Sequence, residues 1–116
     1  MDLDLRALAA TIHENVTATL GLDGREMMHA QVHCVAEEAG EFVGAFRRWI
    51  GMARRDGPFG DVEAELADVV ISAYAAAHAL GIDLDAAICA KADTVLTRGW
   101  KQVGDPSGQP GAGSDG

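Results

Sequence analysis

Basic residues, cysteine, aromatic residues and proline are all scarce in this chain of 116 residues. Nine lysines and arginines stand against 18 aspartates and glutamates, which gives a formal net charge of −9. We therefore expect neither the basic face that binds a nucleic-acid backbone nor the polybasic segment that anchors a protein to anionic lipid. Two cysteines, Cys34 and Cys89, are too few for a disulfide scaffold, and we expect both to be buried thiols.

Long uncharged apolar runs and a positively charged leader are also missing. The most apolar stretch, 69–82, is too short for a membrane span and contains His78. The first residues carry acids where a signal peptide carries positive charge, so we expect a cytoplasmic protein with reduced thiols. With 48% apolar residues, the chain is nevertheless too hydrophobic for a disordered acidic tail, and we expect a folded domain.

The scarcity of proline favours helices, because Pro58 is the only proline before position 106. Alanine, the best helix former, is the most frequent residue, and no segment alternates like a strand. The apolar spacing predicts four helices, at 4–19, 25–50, 62–80 and 86–98.

The ends of these helices are marked by turn and capping residues. We expect Asp61 to cap the third helix, and Asp83 or Asp85 to cap the fourth. The last residues, 104–116, are rich in glycine and proline and contain no large apolar side chain. The chain is therefore predicted to be all-α, with one four-helix domain at 1–103 and a disordered tail at 104–116.

The residues with chemical potential lie on the second and third helices. They are five carboxylates: Glu37, Glu38, Glu41, Glu65 and Asp68. On each helix two of them are three residues apart and share one face. Those of the second helix fall on the same side as Cys34 and Ala45, and those of the third border an apolar stripe that includes Val62, Leu66 and Leu80.

Acids in an apolar stripe require neutralisation, because burying an unpaired carboxylate is costly. With two lysines and seven arginines, the chain has few cations to supply it. A divalent cation resolves the conflict, and ligation by oxygen alone favours Mg²⁺, with Mn²⁺ as a substitute. The alternative is an ordinary, solvated charged face.

Mg²⁺ in proteins is usually shared with substrate phosphates, so basic side chains are expected nearby. Lys91 and Arg98 are seven residues apart on the fourth helix, where they either contact phosphates or are solvated charges near a helix end.

Trp49 lies on the carboxylate side of its helix and either stacks on a base or anchors the core. His29 and His33 have metal-binding spacing but point away from the acids, which favours surface or interface positions.

Two motifs at this separation resemble a known family. E-E-A-G-E (37–41) followed by E-L-A-D (65–68) resembles the E-E-x-x-E … E-x-x-D signature of MazG-like nucleoside triphosphate pyrophosphohydrolases, over about 31–100. The flanking W-I-G-M (49–52) and T-R-G-W (97–100) are most similar to small stand-alone members of actinobacterial or phage type. The resemblance implies a four-helix module completed in homodimers or homotetramers, and Mg²⁺-dependent cleavage of nucleoside triphosphates to monophosphate and pyrophosphate.

The resemblance also implies roles for individual residues. The metal ligands would be Glu38, Glu41, Glu65 and Asp68, and Glu37 or Glu41 would take a proton from the attacking water. Lys91 and Arg98 would hold the phosphates, and Asp93 stands near where members of the family often place an asparagine. The alternative interpretation is a non-catalytic acidic helical module that binds a metal or a basic partner protein.

Overall fold

The computed structural model describes residues 2–99, which form four α-helices and no strand. The helices are α1 (Leu5–Leu20), α2 (Gly24–Trp49), α3 (Phe59–Leu80) and α4 (Leu84–Arg98). The predicted all-α class is confirmed. The predicted tail, 104–116, and Trp100 lie outside the described residues.

Side-chain caps and glycines explain most of the helix ends. Asp4 caps α1 by accepting hydrogen bonds from the backbone N–H groups of Arg6 and Ala7 at 3.0 and 3.1 Å. At the start of α2, Asp23 and Glu26 form a reciprocal capping box. The α1 helix ends at Gly21, whose φ of 66° is a left-handed conformation that suits glycine.

The predicted cap of the third helix is wrong, because α3 begins three residues before the expected position. Pro58, with φ −78° and ψ 157°, occupies the N-cap position and makes no side-chain capping bond. Asp61 therefore lies inside the first turn, where a negative charge favours a helix start without capping it. Asp85 likewise lies in the first turn of α4 rather than before it.

The connection between α2 and α3, residues 50–58, is folded back onto the end of α2. The Arg48 carbonyl oxygen accepts hydrogen bonds from the N–H groups of Gly51 and Gly57, each at 3.3 Å. The Arg47 carbonyl accepts from Met52 N–H at 2.8 Å, and the Arg47 guanidinium donates to the Met52 carbonyl at 3.2 Å. These bonds hold the connection in a defined conformation.

The chain divides into two compact units after Asp83, with α1–α3 in the first and α4 in the second. In the first unit, α2 and α3 form an antiparallel hairpin, in which Trp49 contacts Phe59 and Val32 shares a groove with Leu80. The α1 helix packs on α3. The buried side chains of this unit are mostly small: Ala9, Met27, Gln31, Ala45, Val62, Ser72, Ala75, Ala76 and Ala77.

Large apolar side chains remain exposed along the hairpin. Among the described residues, Met27 is the one large side chain that is fully buried. Leu66 and Leu80, which were expected in the core stripe, are 47% and 45% exposed, so that expectation is wrong for the single chain. No single helix within 2–99 is long and apolar enough to cross a membrane, and α3 and α4 satisfy this requirement only when taken together, by length and composition alone.

Candidate metal centre

Three of the predicted carboxylates meet between α2 and α3. Glu38 extends from α2, and Glu65 and Asp68 extend from successive turns of α3. One carboxylate oxygen from each residue lies within 4.8 Å of the other two. Glu38 and Glu65 are half-buried, whereas Asp68 is exposed, so the cluster lies at the edge of the helix interface and is open to solvent.

The position of Glu38 follows from the apolar spacing of α2. Met27, Gln31 and Ala45 are buried, and Glu38 is eleven residues after Met27 and seven before Ala45, on the same side of the helix. On α3, Glu65 comes three residues after the buried Val62. Both glutamates therefore occupy positions at which the helix pattern normally places an apolar residue.

The cluster is electrostatically uncompensated within the described chain. Partial burial raises the pKa of Glu38, and the negative charges of Asp68 and Glu65, then of Glu41 and Glu37, raise it further. The groups that shift the pKa of Glu38 are all acidic, and the ion pair that joins Arg6 to Asp83 involves none of the cluster.

Cys34, one turn before Glu38, is also affected by the negative charges of neighbouring carboxylates. Burial raises the pKa of its thiol, and the charges of Glu37 and Glu38 add to the effect. Both cysteines are free, with Cys34 half-buried and Cys89 exposed, so the expectation of a buried thiol is wrong for Cys89.

The two other predicted acids of α2 lie outside the three-oxygen cluster. Glu37 and Glu41 are both exposed, and neither belongs to the group within 4.8 Å. Both are near enough to act on Glu38 through their charge. The structure therefore brings together one acid from α2 and two from α3, and the assignment of Glu41 as a fourth ligand stays a prediction.

The donor set suits a hard divalent cation. All three groups offer oxygen, and their oxygens lie within 4.8 Å of one another, whereas the ligand oxygens of octahedral Mg²⁺ are about 3 to 4 Å apart, so a small closure of the side chains would be needed to bind the ion. Mg²⁺ usually retains several waters, so three carboxylates at an open edge leave positions for water and phosphate. A cation here would also remove the repulsion that raises the pKa of Glu38.

The predicted substrate-binding residues of α4 belong to the second unit. Lys91 and Asp93 are exposed, whereas Arg98 is half-buried. Lys91 lines a shallow apolar groove on α4 together with Ile88 and Val95. Their grouping with the carboxylates stays a prediction.

Trp49 is not a core anchor, because 48% of its surface is exposed. Its indole contacts the ring of Phe59 from α3, with ring centroids 4.8 Å apart, and it lies 6.3 Å from the ring of Phe46. Phe59 was missed as a candidate because the sequence does not show how 50–58 folds.

All four histidines occur in two pairs. His29 and His33 are exposed on α2 with ring centroids 6.2 Å apart, in agreement with the predicted surface position. The second pair, His13 and His78, joins α1 to α3 with ring centroids 4.8 Å apart, and the sequence analysis missed it. No periodicity within one helix signals such a contact between helices.

Comparisons of the chain with protein-family models, with curated proteins and with solved structures found no match.

Proposed function

We propose that the protein is a Mg²⁺-dependent nucleoside triphosphate pyrophosphohydrolase, which converts (d)NTP to (d)NMP and pyrophosphate. One observation carries the proposal: Glu38, Glu65 and Asp68 bring carboxylate oxygens within 4.8 Å of one another across two helices, with a raised pKa at Glu38. The resemblance of 37–41 and 65–68 to the MazG-like signature supports the same reaction.

In the proposed reaction, the oxygen of a water attacks the α-phosphorus. The bond from that phosphorus to the α,β-bridging oxygen breaks, and pyrophosphate leaves. Bound Mg²⁺, or Mn²⁺ in its place, would neutralise charge on the phosphate oxygens and make the water easier to deprotonate. Glu38, Glu65 and Asp68 would hold the cation.

Exposed carboxylates beside the cluster are available for the proton. Glu37 and Glu41 both lie close enough to influence Glu38, and either accepts the proton of the attacking water in this scheme. Lys91 and Arg98 would stabilise the charge on the leaving pyrophosphate, and Asp93 would contact the sugar or phosphate. Trp49, exposed at the end of α2, would contact the base.

The proposal includes a homodimer or homotetramer. Val43, Leu66 and Val70 expose 52%, 47% and 42% of their surface on the α2–α3 hairpin, which is typical of a face that another chain covers. We further propose a cytoplasmic location, which the two free cysteines support.

Pyrophosphate release tests the proposed reaction. The purified protein is incubated with each of the four dNTPs and MgCl₂, and pyrophosphate and dNMP are quantified with and without EDTA. Release that requires Mg²⁺ and is lost in Glu38→Gln supports the proposal. The matched control is Glu63→Gln, because Glu63 is an exposed acid of α3 outside the cluster and its loss should leave activity unchanged.

The alternative function gives a different result in the same assay. If Mg²⁺ binds at the cluster but no dNTP releases pyrophosphate, the hydrolase proposal is wrong and a metal- or protein-binding module is favoured. Isothermal titration with MgCl₂ alone measures the binding. Retention of full hydrolysis in Glu38→Gln would instead show that the carboxylate cluster is not the site.

A further inference from the structure

Two buried polar atoms of α1 have no hydrogen-bond partner within residues 2–99. They are Nδ1 of His13 and Oγ1 of Thr17. The two residues are four apart, so they lie on the same side of α1 and about 6 Å from each other along its axis. Buried polar atoms in folded proteins are nearly always paired, so two unpaired ones on one helix face indicate a site for a polar ligand.

The hydroxyl of Thr17 differs from those of two other helical threonines. Thr11 and Thr94 each donate to the backbone carbonyl four residues earlier, at 3.1 Å. The corresponding acceptor for Thr17 is the carbonyl of His13, and the hydroxyl makes no bond to it. The Thr17 hydroxyl can therefore bind a group that lies beside His13.

A second imidazole lies against His13 from α3. The ring centroids of His13 and His78 are 4.8 Å apart, with an interplanar angle of 61°. Two imidazoles that bind one tetrahedral Zn²⁺ at about 2.0–2.1 Å have centroids about 5 Å apart, so the observed separation suits a shared ion. His78 is exposed, which gives an ion access to the pair from solvent.

Nitrogen donors select a different class of ion from the carboxylate cluster. Imidazole suits Zn²⁺, Ni²⁺ and Cu²⁺, whereas Mg²⁺ prefers oxygen ligands. His78 follows Asp68 by ten residues, which is about 15 Å along the axis of α3. The histidine pair and the carboxylate cluster are therefore separate sites that share no ligand.

The α1 helix has few other contacts that hold it against α3. Ala9 is its one buried residue. Arg6 of α1 forms an ion pair with Asp83, just after α3, at 3.7 Å, and both side chains are more than half exposed. Exposed ion pairs of this kind contribute little to stability. An ion shared by His13 and His78 would therefore add substantially to the attachment of α1.

We propose that His13 and His78 form a binding site for a divalent transition-metal ion such as Zn²⁺, which holds α1 against α3. The two imidazoles supply nitrogen ligands, water completes the coordination, and the Thr17 hydroxyl forms a hydrogen bond with one of these waters. This inference goes beyond the proposed hydrolase function and does not depend on it.

Titration with ZnCl₂ tests the binding, in excess MgCl₂ that competes for the carboxylates. The protein carries His29→Gln and His33→Gln, which remove the exposed histidine pair of α2, and this double variant is the reference. We expect it to bind one Zn²⁺ per chain at the site. Adding His13→Gln or His78→Gln should weaken that binding at least about tenfold, since even loss of a hydrogen-bond partner of a ligand costs about 10- to 100-fold.

The absorption spectrum of Co²⁺ bound in place of Zn²⁺ identifies the ligands. Imidazole ligands give no thiolate-to-cobalt charge-transfer band, and we expect none. Such a band would show that Cys34 or Cys89 holds the ion and would overturn the inference. No binding by the reference variant, or binding unchanged by both His13→Gln and His78→Gln, would also overturn it, because the buried Nδ1 would then bind water only.

Hydrogen exchange of the α1 amides tests whether the ion holds α1 in place. The helix must release the ion before it separates from α3, so Zn²⁺ at about 100 times its Kd should slow this exchange by up to about 100-fold. His78→Gln should abolish the effect while retaining the helices by circular dichroism, because His78 is exposed. Zn²⁺ binding without slower exchange in α1 would contradict the proposed attachment.

Discussion

Glu38 on α2 and Asp68 on α3 bring carboxylate oxygens within 4.8 Å of each other across the helix interface. Two ionised carboxylates at this separation repel each other, and Glu65 adds a third negative charge. Partial burial and these charges raise the pKa of Glu38. The arrangement stores unfavourable energy that either a proton or a cation removes, so pH and Mg²⁺ should act on the same residues.

The first prediction concerns stability against pH in metal-free protein. Because the pKa of Glu38 is higher in the folded chain than its ordinary value of 4.5, the folded state binds a proton more tightly than the unfolded state. The contribution of Glu38 therefore favours folding at low pH and is lost as pH rises from 4.5 through the raised value. Glu38→Gln should be more stable than wild type at pH 7.5, and the difference should shrink toward pH 4.5.

Urea unfolding in EDTA at several pH values measures this difference, with Glu63→Gln as the control. Adding Mg²⁺ at about 100 times its Kd should stabilise wild type at pH 7.5 by about 2.7 kcal/mol and leave Glu38→Gln unaffected. A wild-type protein that is more stable than Glu38→Gln in EDTA at pH 7.5 would contradict the electrostatic account of the cluster.

The second prediction separates a metal ligand from a proton acceptor. Asp68 belongs to the three-oxygen cluster, whereas Glu41 is exposed outside it. We expect Asp68→Asn to lose both Mg²⁺-induced stabilisation and hydrolysis. If Glu41 is the base, Glu41→Gln should keep the stabilisation while kcat falls by about 10² to 10⁴. Thermal unfolding with and without Mg²⁺ measures the stabilisation by the metal, and pyrophosphate release measures hydrolysis. If Glu41→Gln loses the stabilisation by Mg²⁺, Glu41 is a fourth metal ligand.

The meeting of Glu38 with Glu65 and Asp68 was predictable because it depends on helix periodicity. The apolar spacing of α2 and α3 fixes which side of each helix faces the other, and Glu38 and Glu65 stand on those sides. The same pattern could not separate Glu38 from Glu41, because a spacing of three residues leaves the two side chains about 60° apart around the helix. One of them reaches α3 and the other remains exposed.

Features that depend on contacts outside one helix were not predictable in this way. The pairing of Trp49 with Phe59 requires the particular fold of 50–58, which the carbonyl of Arg48 organises through two backbone hydrogen bonds. The exposure of Leu66 shows a different limit. An apolar stripe indicates that a side chain is covered, but not whether the same chain or another one covers it.

The third prediction tests whether another copy of the chain covers the exposed apolar face. Val43 and Leu66 are 52% and 47% exposed on the hairpin. Light scattering should give wild type a mass that is a multiple of 12.1 kDa, and Leu66→Asp should shift it toward the monomer. Ala64→Asp adds the same charge at an exposed position two residues away and should leave the assembly intact. A wild-type monomer at all concentrations would contradict the prediction.

The fourth prediction concerns the connection that places Phe59 against Trp49. A Cβ on Gly57 would lie 3.1 Å from the Cβ of Arg48, which cannot move without shifting the end of α2. Gly57→Ala should therefore destabilise the protein by about 1 kcal/mol. Gly60 provides the matched control, because a Cβ there meets nothing within 4 Å and alanine favours the first turn of α3 by up to about 1 kcal/mol. Urea unfolding should show Gly57→Ala to be less stable than wild type and Gly60→Ala to be more stable. A Gly57→Ala protein as stable as wild type would show that the connection accommodates the added methyl group without cost.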